Sequence, residues 1–245
     1  MRQCKVKNLS NIFKLLDGLS NTKIYYLFLD ITMHQVIKTL TQVADRYAPS
    51  RMISFDIAHV FKTFQLMAKN GKISRALLTL ELGLGEGAVK TLVKHLKMHQ
   101  LVETSKGGMW MSDKGFRLYT KLDESIPNEM EVPQCSIVVG KYNHAVLIKG
   151  LESEIGSGIE QRDAAIKMGA TGATTLLFRE GKFFMPGRNQ DSLRSDSDVR
   201  EKIIKTLHPE DKDVIIIGSA DKKKIAELAT KNTALLTVAN HHKHV

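Results

Sequence analysis

Cysteine is nearly missing from this chain. Cys4 and Cys135 stand far apart and form no Cys-x-x-Cys pair, which excludes a disulfide framework and a cysteine-held zinc site and fits a reducing compartment. Long apolar runs are missing too: none approaches the ~20 residues that a membrane-spanning helix needs. The stretch Ile24-Tyr-Tyr-Leu-Phe-Leu is short, runs into Asp30 and lacks a small-residue cleavage site, which argues against a signal peptide. There is no internal repeat, no Ser–His–Asp arrangement, no paired-carboxylate signature and no phosphate-loop lysine motif. Aromatic residues make up only 6% of the chain. They offer no platform of the kind on which RNA readers stack bases. The expectation is a cytoplasmic protein with no membrane partner and no cofactor.

Positive charge is abundant, and it is uneven. The whole chain carries +10, with 36 Lys and Arg against 26 Asp and Glu. Residues 1–130 hold 19 basic against 11 acidic side chains, and the remaining 115 hold 17 against 15. A basic front beside a nearly neutral back confines the expected polyanion contact to the front half.

The front half has a readable order of elements. Val36, Ile37, Leu40 and Val43 recur at helical spacing up to Tyr47, and Pro49 ends that segment. Ser54 can cap a helix with Ile57, Val60, Phe61, Phe64 and Met67 on its inner face, stopped by Asn70-Gly71. A second helix over Ser74–Leu82, the turn Gly83-Leu-Gly-Glu-Gly and a third helix from about Ala88 to Gln100 follow. The third buries Val89, Leu92, Val93 and Leu96. Leu101–Ser105, a Lys106-Gly107-Gly108 turn and Met109–Met111 read as a hairpin, and Ser112-Asp113 starts a closing helix to about Leu122. That succession is the order of a winged helix-turn-helix.

The back half reads differently. Asp123–Pro133 is acidic, has two prolines and no period, so it reads as a linker. Strands are expected at Ile137–Val139 and Ala145–Ile148, flanking a Lys141-Tyr-Asn turn, then at Ala173–Phe178, Lys182–Met185, Asp213–Ile217 and Leu235–Val238. Helices are expected at Ile159–Met168, Asp198–Leu207 and Lys222–Lys231. The fold class is therefore α+β: a winged helix-turn-helix followed by a small α/β sandwich with a mixed sheet. The boundaries are 1–32 for an N-terminal extension, 33–122 for the DNA-binding domain, 123–134 for the linker, 135–239 for the α/β domain and 240–245 for a histidine-rich tail.

Lys90, Lys94 and Lys97 fall at i, i+4 and i+7 of the third helix, opposite its apolar stripe, with Thr91 and His95 beside them. Such a row neutralises phosphates and releases counterions; the plain alternative is a solvated lysine face. Lysine is a poorer bidentate partner for guanine than arginine, so the helix is expected to position the protein more than to specify sequence. Lys72 and Arg75 are expected on the flanking backbone, Lys106 in a minor groove, and Trp110 packing the hairpin onto the helices. In the back half, Gly156-Ser-Gly precedes a helix whose first turn holds Glu160, Gln161, Arg162 and Asp163. Gly158 and the helix start offer an anion seat and Arg162 a clasp for a small anionic effector, unless the carboxylates simply pair with Arg162. Thr174, in the small-residue run Gly169–Thr175, is a further candidate donor.

The segments Arg51-Met-Ile-Ser-Phe, Leu82-Gly-Leu-Gly-Glu-Gly-Ala-Val-Lys-Thr-Leu and Gly158-Ile-Glu-Gln-Arg-Asp-Ala-Ala-Ile-Lys-Met-Gly-Ala resemble an archaeal family. Its members join an N-terminal winged helix to an α/β domain of unknown function. The resemblance spans about residues 33–238 and implies this two-domain layout and transcriptional regulation, without bringing a ligand or a reaction. The expected function is a homodimeric regulator that binds double-stranded DNA and either senses a small molecule or dimerises through its α/β domain. A non-enzymatic role leads. The rival is an enzyme acting on a phosphorylated or nucleotide-like metabolite, with Glu160 or Asp163 as base and Arg162 on the anion.

Overall fold

The computed structural model describes residues 33–45 and 54–241. The extension at 1–32, the Pro49 stop and the end of the histidine tail lie outside the described residues. Five helices and a hairpin build the front: α1 (Met33–Val43), α2 (Ile57–Asn70), α3 (Arg75–Leu82), α4 (Glu86–Met98), β1 (Val102–Ser105), β2 (Gly108–Met111) and α5 (Asp113–Ser125). The start of α2 is capped by Asp56 rather than Ser54. The Asp56 carboxylate accepts from the Ala58 and His59 N–H groups, and His59 Nδ1 accepts the Asp56 N–H, closing a reciprocal cap. Val60, Phe61 and Phe64 of α2 are then fully buried with Leu40 and Val43 of α1 and Leu92 and Leu96 of α4.

The back half holds β3 (Glu129–Val132), β4 (Tyr142–Ile148), α6 (Ile159–Lys167), β5 (Gly172–Arg179), β6 (Lys182–Phe184), α7 (Ser197–Leu207), β7 (Val214–Ala220) and α8 (Lys223–His241). The sheet order is β3-β4-β7-β5-β6, and every neighbouring pair is antiparallel. The expected mixed sheet is thereby corrected: β7 inserts between β4 and β5 and runs against both, so no parallel pair forms. One face of the sheet buries Ala145, Leu147, Leu176, Ile215 and Ile217 against Val199, Ile203 and Leu207 of α7. The other face carries α6 and α8.

Three further expectations give way. The stretch read as a linker contains the end of α5 and the edge strand β3, in which Met130 and Val132 point into the core and Glu131 outward. Ile137–Val139 is not a strand, and Tyr142-Asn143 opens β4 instead of forming a turn. Leu235–Val238 lies inside α8. From Leu228 to Val238 every residue of that helix except Leu236 is buried, which removes the polar face that marks a helix in sequence. Among the described residues no helix is long and apolar enough to cross a membrane.

Helix α8 is where the halves meet, since it packs on β4 and β7 and also on α1 and α2. Lys231, 1% exposed, donates to Glu129 on β3 (2.8 Å) and to the side-chain carbonyl of Gln65 on α2 (2.5 Å), and pairs with Glu227 at 3.0 Å. Buried Lys62 of α2 donates to Glu227 (2.7 Å) and to the Glu81 backbone carbonyl (2.9 Å). Burial pushes the Glu129 carboxyl upward, but the His144 ring beside it and the Lys231 charge prevail and hold it well below the usual carboxylate range.

Candidate nucleic-acid interface

Local sequence sets the geometry of the α3–α4–hairpin unit. Ser74 Oγ accepts the Leu77 N–H at the start of α3 (3.1 Å), and Gly83 ends that helix in the left-handed region, its N–H donating to the Thr79 carbonyl. Leu84 tucks inward, and α4 begins two residues later. After α4, the Lys106-Gly107 turn joins β1 to β2 with Ser105 opposite Gly108. Ile73, just before α3, exchanges both backbone hydrogen bonds with Met109, so the hairpin is tied to the root of α3 (2.9 and 2.8 Å). A side chain at Gly108 would sit 2.6 Å from the Ile73 carbonyl oxygen, so this junction requires glycine.

Between α4 and the hairpin runs an open groove of about 700 Å³. Arg75, Lys90, Lys94, Lys97 and Lys106 all line it, and no carboxylate does. The lysine row of α4 is exposed, while Val89, Leu92 and Leu96 are buried beneath it. Five cations from three elements thus converge on one concave strip, an arrangement suited to a phosphate backbone. Lys72 lies beside the same turn, its Nζ 5.1 Å from the centre of the Trp110 ring. Trp110 presents a ring face to that cation.

Two of the proposed contacts are placed elsewhere. His95 is 5% exposed, its Nδ1 2.8 Å from the Val43 carbonyl and its ring edge against Phe55, so it packs α4 onto α1. Thr91 is half-buried and its hydroxyl donates to the Gly87 carbonyl. His99, at the end of α4, has its pKa lowered by burial and by the neighbouring Lys114 and His95, so it adds no cation at neutral pH. The sequence reading missed Thr104 and Ser105, whose strand faces the groove; their place just before the glycine turn was the available signal.

The expected effector residues do not converge. Gly158, Glu160 and Gln161 line one cleft of about 280 Å³ with Glu154, Thr237 and Asn240. Arg162 and Asp163 are exposed and pair with each other at 3.2 Å. Gln161 is buried, donating to the Thr237 hydroxyl (3.3 Å), and Thr174 donates to the Ile137 carbonyl (2.6 Å). With two carboxylates and no cation on its wall, that cleft is unsuited to an anion. Among the described residues no group of three or more His, Cys, Asp and Glu side chains is gathered to hold a metal.

Residues 139–238 match the model of a family described as a domain of unknown function (DUF4443). The match covers β4 through most of α8 and stops short of the basic groove. No curated protein matches the chain. Among solved structures the fold is similar to that of the hypothetical protein PH0730 from the archaeon Pyrococcus horikoshii OT3, with a TM-score of 0.60 and 24% identity. The likeness covers 78% of this chain and 95% of that one. At that identity it speaks for a shared fold alone.

Proposed function

We propose that the α3–α4–hairpin unit is a winged helix-turn-helix and that the chain is a DNA-binding transcriptional regulator. The observation that carries this reading is the carboxylate-free groove in which Arg75, Lys90, Lys94, Lys97 and Lys106 meet. In this reading α4 enters the major groove, Lys106 follows the adjacent minor groove, and Arg75 and Lys72 hold the flanking phosphates. Two copies act together on paired half-sites in the cytoplasm, because one short helix reads few base pairs. The back half supplies the sensing or dimerising module, joined to the reading head through α8.

Fluorescence anisotropy with duplex DNA over a salt series tests the assignment. Binding should weaken steeply with salt. Changing Lys90, Lys94 and Lys97 together to alanine should flatten the log–log slope by roughly three, one for each phosphate that a lysine no longer neutralises. An unchanged slope and affinity in the triple variant would reject the interface.

A further inference from the structure

We propose that a second cleft, where β3 ends beside β4, α7 and the start of α8, binds a small phosphorylated metabolite that carries hydroxyl groups. The cleft measures about 280 Å³, toward the lower end of ligand sites and suited to a compact metabolite. Lys141 before β4, Lys202 on α7 and Lys223 at the head of α8 line it, against a single carboxylate, Glu131. Glu131 is taken by Lys223 at 2.5 Å, so the ammonium groups of Lys141 and Lys202 carry the surplus charge. All three lysines are exposed, and Lys141 Nζ stands 5.4 Å from the centre of the Tyr142 ring, which lines the same cleft.

The wall of the same cleft holds a buried β4 residue with an unmet polar atom. Asn143 is 4% exposed, and its Oδ1 has no hydrogen-bond partner. The next residue, His144, turns to the opposite face of the sheet, where its Nε2 faces the Glu129 carboxylate at 3.7 Å. Buried polar atoms are nearly always satisfied, and leaving one unmade is costly. Such an atom beside a lysine-lined opening marks where a ligand's group is missing. The lysines are point charges suited to a phosphate, and Asn143 Oδ1 is an acceptor that calls for a hydroxyl donor. A sugar phosphate or polyol phosphate supplies both. The site also has a route to the basic groove's half of the molecule: Lys223 opens α8, and one and two turns further on Glu227 and Lys231 grip Lys62 and Gln65 of α2. That regulatory consequence rests on the DNA-binding reading; the binding itself does not.

Isothermal titration of the full chain with glucose 6-phosphate, ribose 5-phosphate and glycerol 3-phosphate, against inorganic phosphate and glucose, tests the site. At least one of the three esters should bind saturably and more tightly than inorganic phosphate, and glucose should give no heat. The double change Lys141→Ala and Lys202→Ala, on exposed positions that leave the core intact, should weaken ester binding by about tenfold or more. Asn143→Ala should erase the preference for the ester over inorganic phosphate, while the Lys90, Lys94 and Lys97 triple variant should bind as the parent does. Three silent esters, binding that survives the double change, or binding abolished in the triple variant would each overturn the proposal. Failure of the parent chain to bind DNA would overturn the regulatory reading and leave these titrations standing.

Discussion

At Gly115, in the first turn of α5, an added methyl group would lie 2.0 Å from the Leu101 carbonyl oxygen. That carbonyl cannot retreat, because it accepts the Ser112 N–H and belongs to a fully buried leucine at the root of the hairpin. Gly115→Ala should therefore cost on the order of 1–3 kcal/mol, the usual penalty of overpacking, and lower the thermal midpoint measured by circular dichroism. A midpoint equal to the parent's would show that the contact yields freely. Some features that depend only on near neighbours were legible: the lysine row follows from helical spacing alone, and the Ser112 cap from its place before the closing helix, although the cap read at Ser54 falls to Asp56. His95 was not. It sits one turn from Thr91 and looks like part of the same flank, and only the approach of α1, 52 residues earlier in the chain, explains its burial. Thr174 failed for the same reason, its acceptor being the Ile137 carbonyl of a remote loop.

Helix α8 concentrates what the sequence concealed among the elements. A helix buried all round loses its amphipathic period, so the apolar run Leu235–Val238 imitates a strand. β3 was hidden in the opposite way, four residues with two glutamates between prolines, and it becomes a strand only because β4 offers it an edge. The ion network across α8 gives two predictions. Lys231→Met leaves Glu129 and Glu227 without their shared cation and should destabilise the protein by about 3–5 kcal/mol in urea unfolding, as breaking a buried pair does. Glu227, like Glu129, has its pKa lowered in the fold: burial raises it, and the charges of Lys231 and Lys62 outweigh that. A depressed folded pKa contributes stability above the unfolded value of about 4.3 and loses it as pH falls. The urea midpoint should thus drop as the pH falls below about 5 and go on dropping past the usual carboxylate range, and the drop should shrink in Glu129→Gln. An equal drop in both proteins would remove Glu129 from the account.

At the scale of the molecule, a boundary drawn from composition differs from one drawn by packing. A fragment of residues 135–239, cut where the sequence places the α/β domain, lacks β3 and leaves β4 with an open edge and Ala145 uncovered on one side. It also exposes Glu227 and Lys231 by removing α2. The fragment should elute as aggregates and melt without a sharp transition in calorimetry, whereas the full chain should melt cooperatively; a fragment that behaves as well as the full chain would show that the halves are independent. The α+β class, the basic front and the order of the first seven elements were readable in advance. The antiparallel sheet was not, since which strand lies beside which depends on contacts far apart in sequence.

The tether from Lys224 has a consequence of its own. This side chain crosses Gly83 to donate to the Leu80 carbonyl near the end of α3 (2.6 Å), one turn past the root of the helix that carries Arg75. The strut that fastens the two halves thus ends on the corner between α3 and α4, so the joint that holds them together also fixes where that corner sits.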